Sequence, residues 1–295
     1  MRPFQYIFLF LFSAWVFAQE HPSVMSFAPD SYAAENQNWD IAQTDNQFMY
    51  FANNSGLLEF NGSKWALYPI PYNQINNSIV RSVKAIGNVV YSGSYMDFGV
   101  WKKNKFGILE YESIPDKLGI DIQQEEQFWN IEVIDNSILF QSLSRIYLIN
   151  LFDNNVTIIE SEEEIWNTFY IEDTVYFAKK NKGVYKIVNG EVVSFSVNPK
   201  LLSSKLVGIS ILDDKHMFIT RNDGILYFEN NVLKQWQLTP DIDLSKLAIY
   251  SSLQLNDSSL ILGTISHGII HINPDGSLKY KIDFEKGLTN NTILS

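Results

Sequence analysis

The feature that most constrains this chain is a pattern repeated six times along it. Each copy holds a short apolar run that follows a polar turn signal. The runs are "FMYFA" at 48–52, "VVYSG" at 89–93, "ILFQS" at 138–142, "VYFAK" at 175–179, "MFITR" at 217–221 and "LILGT" at 260–264. Asn and Asp dominate the preceding turns because they tolerate left-handed backbone and hydrogen-bond their own main chain. Each run is therefore predicted to be a β-strand that begins after a tight turn.

A second marker follows each run and fixes the period of the repeat. It is a glycine with aliphatic or aromatic neighbours at positions 56, 99, 183, 224 and 268, and Arg145 takes its place in the third copy. Successive markers are 43, 46, 38, 41 and 44 residues apart. Four strands in roughly 40–45 residues are typical of one β-propeller blade. The alternatives are a β-sandwich pair, which has no reason to keep a fixed period, and a β-solenoid, whose repeat is shorter.

The chain is thus predicted to be all-β, a β-propeller of four-stranded blades with six blades present plus the start of a seventh. The propeller is expected at 37–295, with blades at 37–75, 76–122, 123–162, 163–202, 203–244 and 245–284 and the next blade starting at 285–295. The seventh start rests on "NNTILS" at Asn290–Ser295, which resembles "NNSIVRS" at Asn76–Ser82, the lead into the second blade. We expect a fragment that stops inside the repeat; a six-bladed ring with a docked tail is the alternative.

The N-terminus predicts export. Residues 1–18 combine a positive Arg2, an apolar run at 6–17 and a small residue, Ala18, at the expected cleavage site, as a secretory signal peptide does. A short uncleaved anchor is the alternative, although the run is shorter than the roughly 20 residues that span a bilayer. Residues 19–36 form a lead-in. The sequence has no cysteine, which excludes a lipid anchor on cysteine, a thiol nucleophile and disulfide bonds. The expected location is the periplasm.

Composition excludes several kinds of partner. The formal net charge is −11, which opposes nucleic-acid binding because that needs clustered Lys and Arg. No polybasic segment is available to bind anionic lipid, so a membrane contact is expected only through a transmembrane helix outside this segment. Hydrophobic residues make up 46% of the chain, enough for a large core and a globular fold.

Residues that could carry catalysis or bind a metal have simpler interpretations. His267 and His271 are expected to be a loop histidine and a strand-surface histidine, too far apart along a strand to share a metal. The acidic run Glu162–Glu164 is interpreted as solvated surface, with weak helical periodicity around 161–166. The sequence holds neither a GxSxG motif nor a P-loop. We predict no catalytic residue, no metal and no cofactor in this segment.

The candidate binding residues lie where the innermost strands of the blades begin. Innermost strands line the central channel of a propeller, so their ends surround its mouth. The candidates are Trp39, Arg81, Trp129, Asn130, Trp166 and Tyr250. Aromatic faces with a few polar groups suit a carbohydrate or a peptide, whereas the alternative is that the aromatics fill the wedges between blades. The planar guanidinium of Arg81 would suit a carboxylate, on a uronic acid or on an acidic residue of a neighbouring blade.

Several segments resemble a known family. They are "AENQNWDIAQTDNQFMYFANNSGLLEFNGSKW" at 34–65, "SVKAIGNVVYSGSYMDFGVW" at 82–101, "EEQFWNIEV" at 125–133, "YSSLQL" at 250–255, "LGTISHGII" at 262–270 and "GLTNNTILS" at 287–295. They look like the periplasmic sensor region of the Bacteroidetes two-component-regulator propeller family. The resemblance implies a signal peptide, two propellers, a triple-tyrosine Ig-like domain, a transmembrane helix, and a LuxR-type helix-turn-helix or a histidine kinase. On this resemblance, the sequence given is expected to be an N-terminal fragment that stops before the triple-tyrosine domain, the transmembrane helix and the output domain.

Three functions follow as hypotheses. The preferred one is a non-enzymatic sensor domain of a membrane-spanning regulator, with a small molecule, an oligosaccharide or a protein as ligand and a homodimer allowed in the full-length protein. Another is a propeller enzyme acting on glycans, for which Asp40, Asp97 and Glu132 are the candidate acids. The last is a secreted scaffold for protein–protein interactions.

Overall fold

The computed structural model describes residues 22–71, 79–188, 190–238 and 243–294. The predicted signal peptide, residues 76–78 of the "NNSIVRS" segment and Ser295 lie outside the described residues. The described residues form six four-stranded antiparallel sheets arranged in a ring, and within each sheet the strands lie in chain order. This arrangement confirms the predicted all-β propeller.

The strands have these bounds. The first three blades contain β1 Asn38–Gln43, β2 Met49–Asn53, β3 Gly56–Phe60, β4 Trp65–Tyr68, β5 Val80–Ile86, β6 Val89–Ser94, β7 Phe98–Lys103, β8 Leu109–Ser113, β9 Asn130–Ile134, β10 Ser137–Gln141, β11 Arg145–Asn150 and β12 Val156–Glu160. The next three contain β13 Ile165–Ile171, β14 Thr174–Lys179, β15 Gly183–Val188, β16 Glu191–Ser196, β17 Leu206–Leu212, β18 Lys215–Thr220, β19 Ile225–Glu229, β20 Val232–Gln235, β21 Ile249–Gln254, β22 Leu260–Thr264, β23 Ile269–Ile272 and β24 Leu278–Ile282.

Short helices occupy some of the connections. They are α1 Pro29–Tyr32, α2 Ile114–Leu118 and α3 Pro199–Ser203, with 3-10 turns at Leu244–Lys246 and Phe284–Lys286. The weak helical periodicity around 161–166 was misleading, because Ile165 already belongs to strand β13. Within the described ranges, no helix is both long enough and apolar enough to cross a membrane.

The core lies between blades rather than within them. The central strands of a blade are covered on both faces, as in β10, where Ile138–Gln141 are all buried. Five hydrophobic clusters fill the five boundaries between consecutive blades. At the boundary of blades 2 and 3, for example, Phe98 stacks on Phe140 with 4.3 Å between ring centroids. A β-sheet with two apolar faces needs a neighbour on each side, so each blade depends on the next.

The C-terminal residues pack against blade 6, where Ile293 lies beside Gly263. The main-chain N–H of Ile293 donates to the oxygen of Thr264 at 2.9 Å. In blade 3, Phe128 makes the equivalent bond to Ser94 at 3.1 Å just before its inner strand begins. Residue Ile293 therefore contacts blade 6 through the same kind of main-chain bond that Phe128 makes with blade 2. That these residues begin a seventh blade stays a prediction.

The marker glycines have a steric role. Gly183 and Gly268 have positive φ, +99° and +73°, and a Cβ on either would collide with a main-chain oxygen of the outermost strand, Ser196 or Ile282. The glycine therefore lets the third strand start close beside the fourth. Arg145, at the same position in blade 3, forms an ion pair at 2.7 Å with Glu160 of the outermost strand.

This steric role predicts a difference between two glycine substitutions. Gly268→Ala should reduce the free energy of unfolding by about 1–2 kcal/mol for the left-handed backbone and by a further 1–3 kcal/mol, roughly, for the collision. Gly107→Ala is the matched control, because Gly107 also has a positive φ (+79°) but has nothing within 4 Å of the added Cβ. Urea unfolding of both variants measures the difference. If both variants lose the same free energy of unfolding, the contact between the added Cβ and the main-chain oxygen of Ile282 does not destabilise the fold.

Candidate functional site

All six predicted binding residues line one cavity at the centre of the ring. The cavity has a volume of about 760 Å³ and receives side chains from all six inner strands. Trp39, Arg81, Trp129, Trp166 and Tyr250 lie around it, together with Asn130. Its size is within the range of about 300–1,000 Å³ that is usual for small-molecule sites.

A β-bulge explains why four of these six side chains, those of Trp39, Arg81, Trp166 and Tyr250, face the cavity. The pairing of the inner strand with its neighbour shifts by one residue at Trp39, at Arg81 and at Tyr250. The same shift occurs at Trp166-Asn167 and at Val207. A bulge inserts one unpaired residue into a strand and changes the direction of its side chain. Five of the six described blades therefore have a bulged residue that lines the cavity.

Arg81 is held between two tryptophans. Its guanidinium carbon lies 4.4 Å from the centroid of the Trp39 ring and 4.8 Å from that of Trp129. Its Nε donates to Oε1 of Gln127 at 2.9 Å. The Trp39 indole N–H in turn donates to Oδ1 of Asn54 at 2.7 Å, which fixes the ring. These contacts preorganise the guanidinium at the cavity wall.

The charge of Arg81 has no carboxylate partner among the described residues, none of which places an acidic oxygen within 4.0 Å of it. The predicted alternative, that an acidic residue of a neighbouring blade pairs with Arg81, is therefore not met among the described residues. Gln127 and the faces of the two tryptophans contact the guanidinium instead. Burial lowers the pKa of Arg81 below its ordinary value. An arginine remains charged at neutral pH under such a shift.

Other predicted residues have structural contacts in addition to facing the cavity. The Asn130 amide donates to the main-chain oxygen and to the hydroxyl of Thr168, at 2.7 and 2.8 Å, and so joins blades 3 and 4. Trp39 and Trp166 each pack partly against an interblade cluster. Both expectations for the aromatics thus apply at once, because one part of each ring fills a wedge and another part faces the channel.

Two of the three candidate acids lie in the cavity wall. Asp40 accepts main-chain N–H groups from Ile41 at 2.8 Å and from Val83 at 2.9 Å. Glu132 pairs with Lys84 at 3.4 Å. Burial raises the pKa of Asp40 to about 6 and also raises the pKa of Glu132. Asp97 is not in the wall; it accepts hydrogen bonds from the hydroxyls of Tyr111 and Ser113 within blade 2.

The wall also contains two cations that were not among the predicted binding residues, Lys205 and Arg221. The main-chain N–H of Arg221 donates to the oxygen of Lys205 at 2.8 Å, which places the two residues side by side at the entry of blade 5. The Arg221 guanidinium carbon lies 5.2 Å from the centroid of the Tyr250 ring. The signal was present, because Arg221 ends the apolar run "MFITR" at the level where the next inner strand starts.

The histidines need one correction. His267 is in a bend, as expected, but His271 is a buried residue of β23 and not a surface one, with 3% of its surface exposed. Its Nε2 lies 2.8 Å from the Ser259 hydroxyl, and its ring packs edge-on against Tyr280. Within the described parts of the chain, His, Asp and Glu form no group of three or more that could hold a metal ion.

Comparisons with known proteins bear on the fold. No protein-family model matches the sequence, and no curated protein matches it significantly. The structure is similar to the extracellular domain of BT3049 from B. thetaiotaomicron, described as a hybrid two-component system, with a TM-score of 0.69, 15% identity, and coverage of 92% of this chain and 38% of that one. It is also similar to the extracellular domain of BT4673 from the same organism, described as a one-component system, with a TM-score of 0.64, 16% identity, and coverage of 87% and 35%.

The WD40 β-propeller domain of Doa1 shows a weaker similarity, with a TM-score of 0.55, 15% identity, and coverage of 78% of this chain and 77% of that domain. Such identities establish the β-propeller fold alone. The chain spans less than two fifths of the length of the two bacterial extracellular domains.

The raised pKa of Asp40 predicts a pH-dependent stability. Below about pH 4 the carboxyl is protonated in both states. Between about pH 4 and 6 the unfolded chain loses this proton while the folded chain keeps it, so the free energy of unfolding falls as pH rises. A pKa that is raised from 3.8 to about 6 corresponds to a loss of about 3 kcal/mol across this window.

The measurement is urea unfolding of the wild type and of Asp40→Asn from pH 4 to pH 7. The variant cannot titrate, so the difference in unfolding free energy should shift in its favour by about 3 kcal/mol as pH rises. The Asn amide oxygen can accept from only one of the two N–H groups. The variant therefore also loses unfolding free energy by an amount that does not depend on pH. Asp45→Asn, in the exposed β1–β2 turn, is the control for loss of a surface carboxyl. Parallel pH profiles for wild type and Asp40→Asn would contradict the prediction.

Proposed function

We propose that this protein is the ligand-sensing propeller of an exported, periplasmic regulator, and that its ligand binds in the central cavity. The resemblance of the sequence to the two-component-regulator propeller family supports the first part. The similarity in fold to two extracellular domains described as parts of one- or two-component systems is in keeping with it. In that family a membrane helix and a DNA-binding or kinase output follow the propellers.

One observation carries the proposal of the binding site. Bulged residues from separate blades line one cavity, and one of them, Arg81, is fixed between two aromatic rings without a carboxylate partner in the described residues. A site of this kind is preorganised, because rigid strands and packed neighbours hold the groups that would contact a ligand. Aromatic faces and polar amides beside a cation suit an oligosaccharide or another small polar molecule.

The geometry also offers a route from binding to signalling. A ligand in the cavity would contact several blades at once, and it would favour the arrangement of blades that fits it best. If the output domain responds to that arrangement, binding shifts the population between two states. No chemical step is needed in this segment.

A glycan-acting enzyme is the second candidate, and the raised pKa of Asp40 is the observation that favours it. A carboxyl that titrates near pH 6 can serve as a general acid or base. In this structure, however, main-chain N–H groups already bond both oxygens of Asp40, and Lys84 pairs with Glu132. Turnover of any glycan in a polysaccharide panel, lost in Asp40→Asn, would favour the enzyme.

The sensor proposal predicts the effect of removing Arg81. Arg81→Ala should weaken binding of the recognised oligosaccharide at least tenfold, as measured by isothermal titration calorimetry against a panel of tri- to hexasaccharides. It should reduce the free energy of unfolding by only about 1–2 kcal/mol, since two cation–π contacts and one hydrogen bond are lost.

Arg145→Ala is the matched control, because Arg145 pairs with Glu160 and does not line the cavity. This variant should bind the oligosaccharide like the wild type. Saturable binding that survives Arg81→Ala unchanged would place the ligand elsewhere on the protein, and the absence of binding to every sugar in the panel would contradict the proposal that the cavity senses a glycan.

A further inference from the structure

The positive charges of the cavity wall are distributed on two sides. Arg81 lies at the entry of blade 2, whereas Lys205 and Arg221 lie together at the entry of blade 5. Blades 2 and 5 are separated by two blades in the ring, so the cations face the cavity from different directions. A ligand long enough to reach from one to the other would contact both.

These three cations differ from the other charged groups of the wall, of which Asp40 accepts two main-chain N–H groups and the rest form ion pairs. Lys84 pairs with Glu132 at 3.4 Å, and Glu164 pairs with Lys180 at 2.8 Å. In contrast, no carboxylate of the described residues lies within 4.0 Å of Arg81, Lys205 or Arg221. The protein as a whole has a net charge of −11, so carboxylates are abundant. Leaving three cations beside one cavity without close acidic partners is unfavourable for the empty fold.

The pair at blade 5 shows this cost most directly. Burial lowers the pKa of Lys205, and the positive charge of Arg221 lowers it further. Glu164, which already pairs with Lys180, acts in the opposite direction and is a smaller influence. Two like charges on adjacent strands repel each other, and an anion between them would remove that repulsion. The same wall offers aromatic side chains, Trp166 and Tyr250, and the amide of Asn167. Sugar rings use such a combination of flat apolar faces and hydrogen-bonding groups.

We propose that the cavity binds an acidic oligosaccharide, whose carboxylate or sulfate groups pair with Arg81 on one side and with Lys205 and Arg221 on the other. This inference rests on the proposed function and specifies its ligand class. An arginine that forms two parallel hydrogen bonds to a carboxylate or sulfate fixes the orientation of that acidic group. The lysine adds a point charge. Because the cations lie on two sides of the cavity, a ligand with acidic groups on separate sugar units can pair with both sides.

The test compares acidic, neutral and peptide probes by isothermal titration calorimetry. The acidic probes are tetragalacturonate and a sulfated carrageenan tetrasaccharide, which distinguish carboxylate from sulfate. The neutral probes are cellotetraose and maltotetraose, and tetraglutamate is the acidic peptide. We expect one acidic sugar to bind at least tenfold more tightly than either neutral sugar. Its affinity should fall between 50 and 500 mM NaCl, because salt screens the charge pairs.

A charge reversal at blade 5 assigns the effect to the cavity. Lys205→Glu should weaken binding of the acidic sugar at least tenfold. Lys64→Glu, at the exposed β3–β4 turn of blade 1, makes the same change in charge outside the cavity and should leave the affinity unchanged. Circular dichroism melts of both variants check that the fold is retained. Arg221→Gln, which keeps a long polar side chain, repeats the test where Lys205→Glu fails to fold.

Each result that differs from these expectations contradicts a specific part of the proposal. If a neutral sugar binds as tightly as the acidic sugars or more tightly, the proposal of an acidic ligand is wrong. The same holds if neither blade 5 substitution changes the affinity for the acidic sugar. Neither result contradicts the proposal that the propeller is a sensor. If tetraglutamate binds as tightly as the acidic sugars, the proposal that the ligand is an oligosaccharide is wrong. The absence of binding to all probes and to the wider panel overturns the sensing site as well.

Discussion

The burial of two apolar faces per blade is the constraint on which this structure depends. The central strands of each blade carry apolar residues on both sides, and the blade cannot cover them by itself. The five interblade clusters satisfy that need with large side chains such as Trp101 and Phe218, of which almost no surface is exposed. Twisted sheets that pack face to face in sequence must spread radially. The central channel is the space that this arrangement leaves at the narrow ends of the blades.

The inner strands adapt to that space with β-bulges. A regular inner strand would alternate its side chains between the two blade faces, so few of them would point along the channel. One extra residue breaks the alternation, and its side chain is free to face the axis. This explains why residues as different as Trp39, Arg81 and Tyr250 occupy equivalent places in their blades. The scaffold is thus uniform, while the bulged residue varies from blade to blade and gives the cavity its chemistry.

The repeat made the fold predictable, since its period, its turn residues and its glycines all report local backbone geometry. The bulged residues Trp39, Arg81 and Tyr250 were also predictable, because they stand at the start of each inner strand. Lys205 and Arg221 were not among the predicted binding residues, because the bulged residue of blade 5 is Val207 and the cations come from the flanking positions. The burial of His271 was missed because its partner Ser259 is twelve residues away in the chain, and alternation along one strand contains no information about such pairs.

The distribution of charge connects the scaffold to its proposed ligand. The net charge of −11 repels anions at long range, yet ions screen that field over about 8 Å at physiological salt. An acidic ligand that reaches the cavity is therefore influenced mainly by the groups of the wall, where Arg81, Lys205 and Arg221 lack close carboxylates in the described structure. Within a cavity partly closed to water, charge interactions are stronger than at the surface. Discrimination then depends on how deeply a ligand enters, so an anion that only touches the outer surface gains little, while one that fits between blades 2 and 5 gains contacts with all three cations.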